Sequence, residues 1–532
     1  MSDFKPIVGI DLGTTFSAIA YVNEFGKVEV IPSAENKPVT PSIIYFQDEG
    51  DIIVGELATN YIVADPDNIA RFVKRQMGKE DYYEEFYGKK YTPQELSSYI
   101  LRKLKQDAEQ YFLNRYGKEI EVKDAVISVP AYFNAAKRGA TEQAGMMANL
   151  NVLMIVDEPI AAALSFGINK LEEDRTIFVF DLGGGTFDAT ILQIKGNEIK
   201  MLSSDGDAEL GGYDWDKRLL AHASELFVGD FNEDPQDDPL SYQELFERVV
   251  RSKVELSRIP RVKIPISHAG KSKVYGISRE EFKELTVDLL ERCEELCKIV
   301  LEKAGKIWDD IDIILLAGGA TYMPMVRDML KKISGKEPST EINPDQCVAI
   351  GCALNAAYKY LEEKREELKE ESPAKIEEEI EKIKEKQGWV SLPEVEIKGI
   401  NAHPLGIVLK DEEGNSFVEH LIPEMTPIPH EVTNRYKYPK GTPILQVTEG
   451  EGVKPEEVNI IGEFVLDKLP KREGGAEIDV IYRYNDSKIL EVELRDVEDP
   501  NIKISIPVAL TGGLSVEEVE EMTKYQDEKS II

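Results

Sequence analysis

Two segments of this chain repeat one short device. Ile7-Val8-Gly9-Ile10-Asp11-Leu12-Gly13-Thr14-Thr15-Phe16-Ser17 and Phe178-Val179-Phe180-Asp181-Leu182-Gly183-Gly184-Gly185-Thr186-Phe187-Asp188 each run an apolar strand into Asp-Leu-Gly. A small-residue turn, Thr-Phe and a second apolar strand follow in both. The copies begin about 170 residues apart, the size of one folding unit. Glycine lets backbone N–H groups approach a polyanion closely, and the threonines add hydroxyl donors. An aspartate at the strand end repels phosphate unless a hydrated Mg²⁺ stands between them. Two such hairpins facing each other make a clamp for a magnesium-bound triphosphate. No Gly-x-x-x-x-Gly-Lys-Ser/Thr occurs, which excludes the standard phosphate-binding loop.

A third element fits the same site. Ile311–Leu316 reads as a buried strand running into Ala317-Gly318-Gly319-Ala320-Thr321, with a helix over Met325–Ile333. Paired glycines let an adenosine ring and ribose lie against backbone.

Strands and helices alternate to about residue 360, the pattern of an α/β architecture. Strands are expected at Ile7–Ile10, Ala125–Val129 and Ile177–Phe180. Helices are expected at Thr92–Tyr111, Ala135–Ala148, Tyr242–Leu256 and Arg279–Ala304. Residues 362–387 are dominated by Glu and Lys. Within Ala374–Gln387, Ile376, Ile380 and Ile383 form a narrow apolar stripe, as for a helix resting on a domain surface. Gly388–Lys398 reads as an extended connector. From Asn401 to Leu510 the period changes to two, in Ile444–Val447, Ile478–Tyr482 and Ile489–Leu494, with turns at Lys440–Pro443 and Arg472–Gly475. That is a sandwich pattern. Ser515 with Glu518 three residues on reads as a helix start.

With 64 basic against 99 acidic residues the net charge is −35, which disfavours nucleic acid and anionic membrane as partners. Solubility alone also accounts for such a surface. No run nears the ~18 apolar residues of a membrane span. Met1-Ser2-Asp3-Phe4-Lys5 lacks the pattern of a signal peptide. Four cysteines in the pairs Cys293/Cys297 and Cys347/Cys352, with no histidine nearby, read as buried thiols rather than a zinc site. A cytoplasmic protein is expected.

Both hairpins, Ile127–Asn134, Asp157–Ala163, Gly206-Asp207 with Leu210-Gly211-Gly212, and Asn343-Pro344-Asp345 together resemble motifs of the seventy-kilodalton heat-shock chaperones, in family order. The resemblance extends to about Met522. It implies an α/β fold: an actin-like two-lobed ATPase domain of duplicated ribonuclease H-like folds, then a β-sandwich peptide-binding domain. The division it implies is 1–361 for nucleotide binding, 362–400 for the charged insert and linker, 401–510 for the sandwich and 511–532 for the stub of a helical lid. The family normally continues with a full lid, so a lidless or shortened form is expected.

The resemblance also assigns roles. Lys74, Glu158, Asp181 and Thr186 would be catalytic, with Lys74 reaching the γ-phosphate and Glu158 and Asp181 orienting water. Asp11, Asp181 and Asp188 would hold Mg²⁺ through its waters, with K⁺ as a further candidate ion. Gly13, Thr14, Thr15, Gly183, Gly184, Gly185 and Thr186 would contact the phosphates of ATP or ADP. Gly211 and Gly212 would bind the nucleotide, and Lys253, Ser257, Gly318, Gly319 and Asp345 would form the adenosine site. Pro130 and Arg138 would relay nucleotide state, Ile444 would line the peptide pocket, and Gly513-Leu514-Ser515 follows the family's peptide-binding sandwich. Implied partners are extended or unfolded polypeptide, a J-domain co-chaperone and a nucleotide exchange factor.

This chain departs from the family at Tyr322 and Val250 in the adenosine site, at Met154 where an arginine serves J-domain partners, and in the connector Val395–Ile400. The alternative is another actin-like relative, either a small-molecule kinase or a nucleotide-exchange or scaffold protein.

Overall fold

A computed structural model describes residues 4–79, 81–167, 174–411, 413–438, 444–465, 476–507 and 514–532. The turns expected at Lys440–Pro443 and Arg472–Gly475, the limit at residue 510, and Gly513 lie outside the described residues.

The repeated device builds two sheets of matching design. In the first, Val8–Asp11 pairs antiparallel with Phe16–Val22 and parallel with Asp124–Val129. In the second, Arg175–Leu182 pairs antiparallel with Phe187–Lys195 and parallel with Ile313–Ala317. Each hairpin continues into a third antiparallel strand, Val28–Ile31 in one and Glu198–Asp207 in the other. Strands buried on both faces carry near-continuous apolar runs, which is why Phe178–Phe180 and Ile314–Leu316 read as they do.

Helices Glu158–Gly167 and Cys347–Glu367 cross with almost no side chain between them. A Cβ on Gly351 would lie 1.8 Å from the Ala161 carbonyl oxygen, so only glycine permits the contact. Arg279–Ala304 differs from the single helix its periodicity suggests. It breaks at Thr286, where two helices, Arg279–Leu285 and Val287–Lys303, meet. The buried Thr286 has φ −123°, outside the helical range, and its hydroxyl donates to the Phe282 carbonyl at 2.9 Å.

The compositional change at residue 362 falls inside helix Cys347–Glu367. The next helix, Pro373–Gln387, lies on the same cluster, with Ile380 fully buried and Ile376 and Ile383 flanking it. Trp389 follows, also fully buried, its indole N–H donating to the Val22 carbonyl. The connector then adds Glu396–Lys398 as a parallel edge strand beside Glu198–Asp207.

Beyond it stand two four-stranded antiparallel sheets. Leu405, Ile407 and Val447 of one and Val480, Tyr482, Val492 and Leu494 of the other share a single core. Tyr482 Oη donates across it to the Gly406 carbonyl at 2.8 Å. Helix Val516–Asp527 carries the expected cap, Ser515 Oγ accepting from Glu518 N–H. It packs on helix Ala135–Met147, and Ser530–Ile531 joins Asp51–Val54 as a parallel strand. No described helix is long and apolar enough to cross a membrane. All four cysteines are free thiols and buried.

Candidate functional site

The two hairpin turns meet. A Cβ on Gly185 would sit 2.5 Å from Thr14 Oγ1, and one on Gly184 would sit 2.5 Å from Thr15 Oγ1. Each turn is held from behind. Ser17 Oγ accepts from Gly13 N–H at 3.1 Å, and Ser42 donates to the Gly13 carbonyl at 2.8 Å. In the second turn Gly183 N–H donates to Thr186 O at 3.0 Å, and Arg75 Nε donates to Gly185 O at 3.0 Å. Arg75 also pairs with Asp214, which accepts from Gly211 N–H as well. Sequence analysis gave Arg75 no role.

Beneath the turns lie Asp11, Asp181 and Asp188, with Glu158 and one cation, Lys74. Lys74 Nζ pairs with Glu158 Oε1 at 2.6 Å, both side chains buried. Burial and then the Glu158 charge raise Asp11 to about 7. The same two causes raise Asp188 to about 8. Asp181 is also pushed well above the usual carboxylate range, by burial and then by Glu158, Asp188 and Asp11, with Lys74 opposing. Burial acts to lower the Lys74 ammonium, but Glu158 and Asp11 more than offset it, and its pKa is raised. More negative charge is thus gathered here than one ammonium neutralises. A hard oxygen-donor set with excess negative charge fits a hydrated divalent cation such as Mg²⁺. Among the described residues no three His, Cys, Asp or Glu side chains stand close enough to ligate a metal directly.

The other residues assigned to the nucleotide divide. Gly212 N–H donates to Gly183 O at 2.9 Å, and Lys253 Nζ donates to Gly212 O at 2.8 Å and pairs with Asp216. Gly318, at φ +80°, brings its turn against the end of the second hairpin, where a Cβ would lie 2.4 Å from Leu182 O. Gly319 adjoins the Asp345 carboxylate. Ser257 is the C-cap of helix Pro239–Leu256, one turn past Lys253. Tyr322 is 43% exposed and donates to Asn343 Oδ1. Val250 packs on the core of the second sheet.

Asp188 reaches beyond the hairpin turns. Its carboxylate accepts from Ala131 N–H at 3.1 Å and Tyr132 N–H at 3.3 Å, just after Pro130. Arg138, 1% exposed, donates to the carbonyls of Phe133 and Ala131 and pairs with Asp157. Three further residues escaped the sequence reading: Ser128, which donates to Asp11, and Glu449 and Lys488, which meet the nucleotide region from the β-sheets. Local spacing carries no sign of the last two. Met154 lines a cavity of about 500 Å³ beside the connector, with Tyr358, Leu392 and Ile428. Ile444 begins strand Ile444–Glu449 opposite Val465, and both are more than half exposed.

Two sheets of matching design with apposed glycine-threonine hairpins over buried carboxylates define an α/β protein with an attached β-domain. The sequence profile described as Hsp70 protein matches residues 7–370 and 386–531, and the chain belongs to that family. The span between the two matches covers most of helix Pro373–Gln387. The chain is also 42% identical over 358 residues to the chaperone protein DnaK of Thermotoga neapolitana, covering 66% of this chain and 59% of that one. The chaperone protein DnaK of Thermotoga petrophila and that of Thermotoga maritima match with the same identity and coverage. The similarity thus spans under two thirds of these relatives' length.

Proposed function

We propose that the protein is an ATP-dependent molecular chaperone. In this reading residues 1–361 form an actin-like, two-lobed ATPase domain of duplicated ribonuclease H-like folds. Residues 401–510 form a β-sandwich that holds extended apolar peptide, with Ile444 at its pocket, and 511–532 correspond to the start of a lid. The carrying observation is the meeting of Thr14 and Thr15 with Gly184 and Gly185 above Asp11, Asp181, Asp188, Glu158 and Lys74.

In this arrangement turn amides and threonine hydroxyls bind phosphate oxygens, and Lys74 reaches the γ-phosphate. Glu158 and Asp181 orient the attacking water. Gly318 and Gly319 give adenosine a flat backbone surface, and Lys253 flanks it. Asp11, Asp181 and Asp188 would hold a hydrated Mg²⁺, and that ion would supply charge neutralisation on the phosphates. Phosphoryl transfer asks for positioning and electrostatics rather than covalent work, which suits a site with no activated nucleophile. The expected partners are unfolded polypeptide, a J-domain co-chaperone and a nucleotide exchange factor, in the cytoplasm.

The test is release of a labelled apolar peptide from the purified protein on adding Mg-ATP, for wild type and Lys74→Ala. Release by wild type alone supports the reading. Peptide that neither binds nor responds to ATP overturns it, as does calorimetry without Mg-dependent nucleotide uptake.

A further inference from the structure

The cavity of about 500 Å³ beside Met154 lies where helices Glu158–Gly167, Cys347–Glu367 and Pro373–Gln387 meet the connector and the segment before strand His430–Tyr438. That volume is typical of small-molecule sites. Much of its lining is buried and apolar: Val156, Ile160, Leu361, Leu392 and Ile428. None of the residues assigned to nucleotide or peptide lines it. Lys384, which does, falls in the stretch outside both profile matches.

Two polar groups of the lining lack partners. Asn355 is 3% exposed; its Nδ2 donates to the Gly351 carbonyl at 3.0 Å, and among the described residues nothing donates to its Oδ1. Tyr358 lies three residues along the same helix, and its hydroxyl is buried with no hydrogen bond among the described residues. Residues at that spacing share a helix face, so an open acceptor and an open hydroxyl stand side by side. A buried polar atom left unpaired opposes folding, and native interiors keep few of them. Phenylalanine would fill the space of Tyr358 without that cost. The hydroxyl is explained by something that enters the cavity.

The charged groups around it already face one another. Lys359 pairs with Glu362 at 2.8 Å, with Asp486 at 3.5 Å behind it, and Lys384 pairs with Glu381 at 2.8 Å. Arg365 stands 3.5 Å from Glu377 and 3.6 Å from Glu394, and Asp157 is taken by Arg138 and Lys488. An ionic ligand would surrender its hydration for ions that are already paired. An uncharged ligand surrenders far less. A hydroxyl or an amide both donates and accepts, so a single such group meets Asn355 Oδ1 and Tyr358 Oη together.

We propose that this cavity is a binding site for an uncharged small molecule, with an apolar ring body and one hydroxyl or amide group held between Asn355 and Tyr358. The site depends on neither ATP hydrolysis nor peptide binding, and it stands or falls apart from the chaperone reading.

The test uses 2-naphthol and naphthalene, which differ by one hydroxyl, titrated into the full chain and followed by ligand-observed NMR. 2-Naphthol is expected to bind saturably at one site and to slow amide exchange in 392–399 rather than in 444–465. Tyr358→Phe should weaken 2-naphthol about fivefold, the usual loss for one hydrogen bond, and leave the weaker naphthalene binding unchanged. Met154→Trp fills the cavity and should abolish binding of both. Without ligand, Tyr358→Phe should melt no lower than wild type, because the lost hydroxyl has no partner. A lower melting temperature would give that hydroxyl a structural role and overturn the proposal. So would absence of saturable binding, or binding that Met154→Trp leaves intact. If Tyr358→Phe changes both probes equally, the cavity is an unselective void that holds water, and the proposal is wrong.

Discussion

Lys74 and Glu158 are joined by a 2.6 Å ion pair although one lies in the short turn Val73–Gln76 and the other opens helix Glu158–Gly167. Each is buried, and the pair stands among three aspartates whose protons are held tightly by mutual repulsion and burial. The lysine is the cation that keeps this carboxylate group together.

Replacing it tests both roles. Lys74→Ala is expected to lower single-turnover ATP hydrolysis by about 10²–10³-fold, the usual loss when an electrostatic stabiliser is removed. It also strips Glu158 of its partner, so the melting temperature should fall several degrees unless Mg-nucleotide is present. Hydrolysis at the wild-type rate would remove Lys74 from the site.

The hairpins leave no room for side chains where they meet. Gly185→Val places carbon atoms where Thr14 now stands, since even a Cβ would lie 2.5 Å from its hydroxyl. Calorimetry should record at least about a tenfold loss of nucleotide affinity with the circular dichroism spectrum unchanged. Undiminished affinity would show that this contact lies outside the phosphate site.

Trp389 anchors the connector beneath the first sheet. Truncation to alanine opens a cavity and strands the Val22 carbonyl, at a cost of about 3–5 kcal/mol. Thermal unfolding monitored by calorimetry checks this, and a shift within error would mean that helix Pro373–Gln387 holds the connector without it.

Arg102, on helix Pro93–Tyr116, fastens helix Val516–Asp527, donating to Gln526 Oε1 at 3.0 Å and pairing with Asp527 at 2.7 Å. Arg102→Ala is expected to raise amide exchange in 516–527 by about tenfold or more, because a lost charge-assisted contact is worth over 1.4 kcal/mol. Unchanged exchange would assign the docking to apolar contacts instead.

Glu449 is fully buried, and burial raises its pKa to about 7 against the lowering influence of Ala135 N–H, Arg138 and Lys488. The folded state therefore keeps a proton there that the unfolded state releases near pH 4.5. The associated stability is complete below the unfolded value and is lost as pH rises toward 7. Lys488, facing Asp157, Arg138 and Asp188, acts in the opposite sense. Its folded pKa is depressed to about 8, so its contribution is present above 10.5 and lost as pH falls through 8. Melting temperature should drop between pH 5 and 7 in wild type, and the drop should shrink in Glu449→Gln. An identical slope in the variant would place the titration elsewhere.

Much of the candidate site was legible along the chain. The hairpins depend on short-range chemistry: glycine at tight turns, threonine beside it, an aspartate where a strand ends. Each lies within eleven consecutive residues, so spacing alone exposes it. The Ser515–Glu518 cap and the buried stripe at Ile376, Ile380 and Ile383 were readable for the same reason. The break at Thr286 was not, because the amphipathic period runs on through a residue whose backbone leaves the helix.

Sequence by itself determined the two strand-turn-strand devices, their order and the change of period near residue 400, since each follows from neighbours along the chain. Tertiary structure alone decided that Trp389 lies under Val22, that Arg102 holds Gln526, and that Lys488 meets Asp157. Those contacts join residues hundreds of positions apart. A lysine or an arginine looks the same in a sequence whether water or a buried carboxylate awaits it, and only packing settles which.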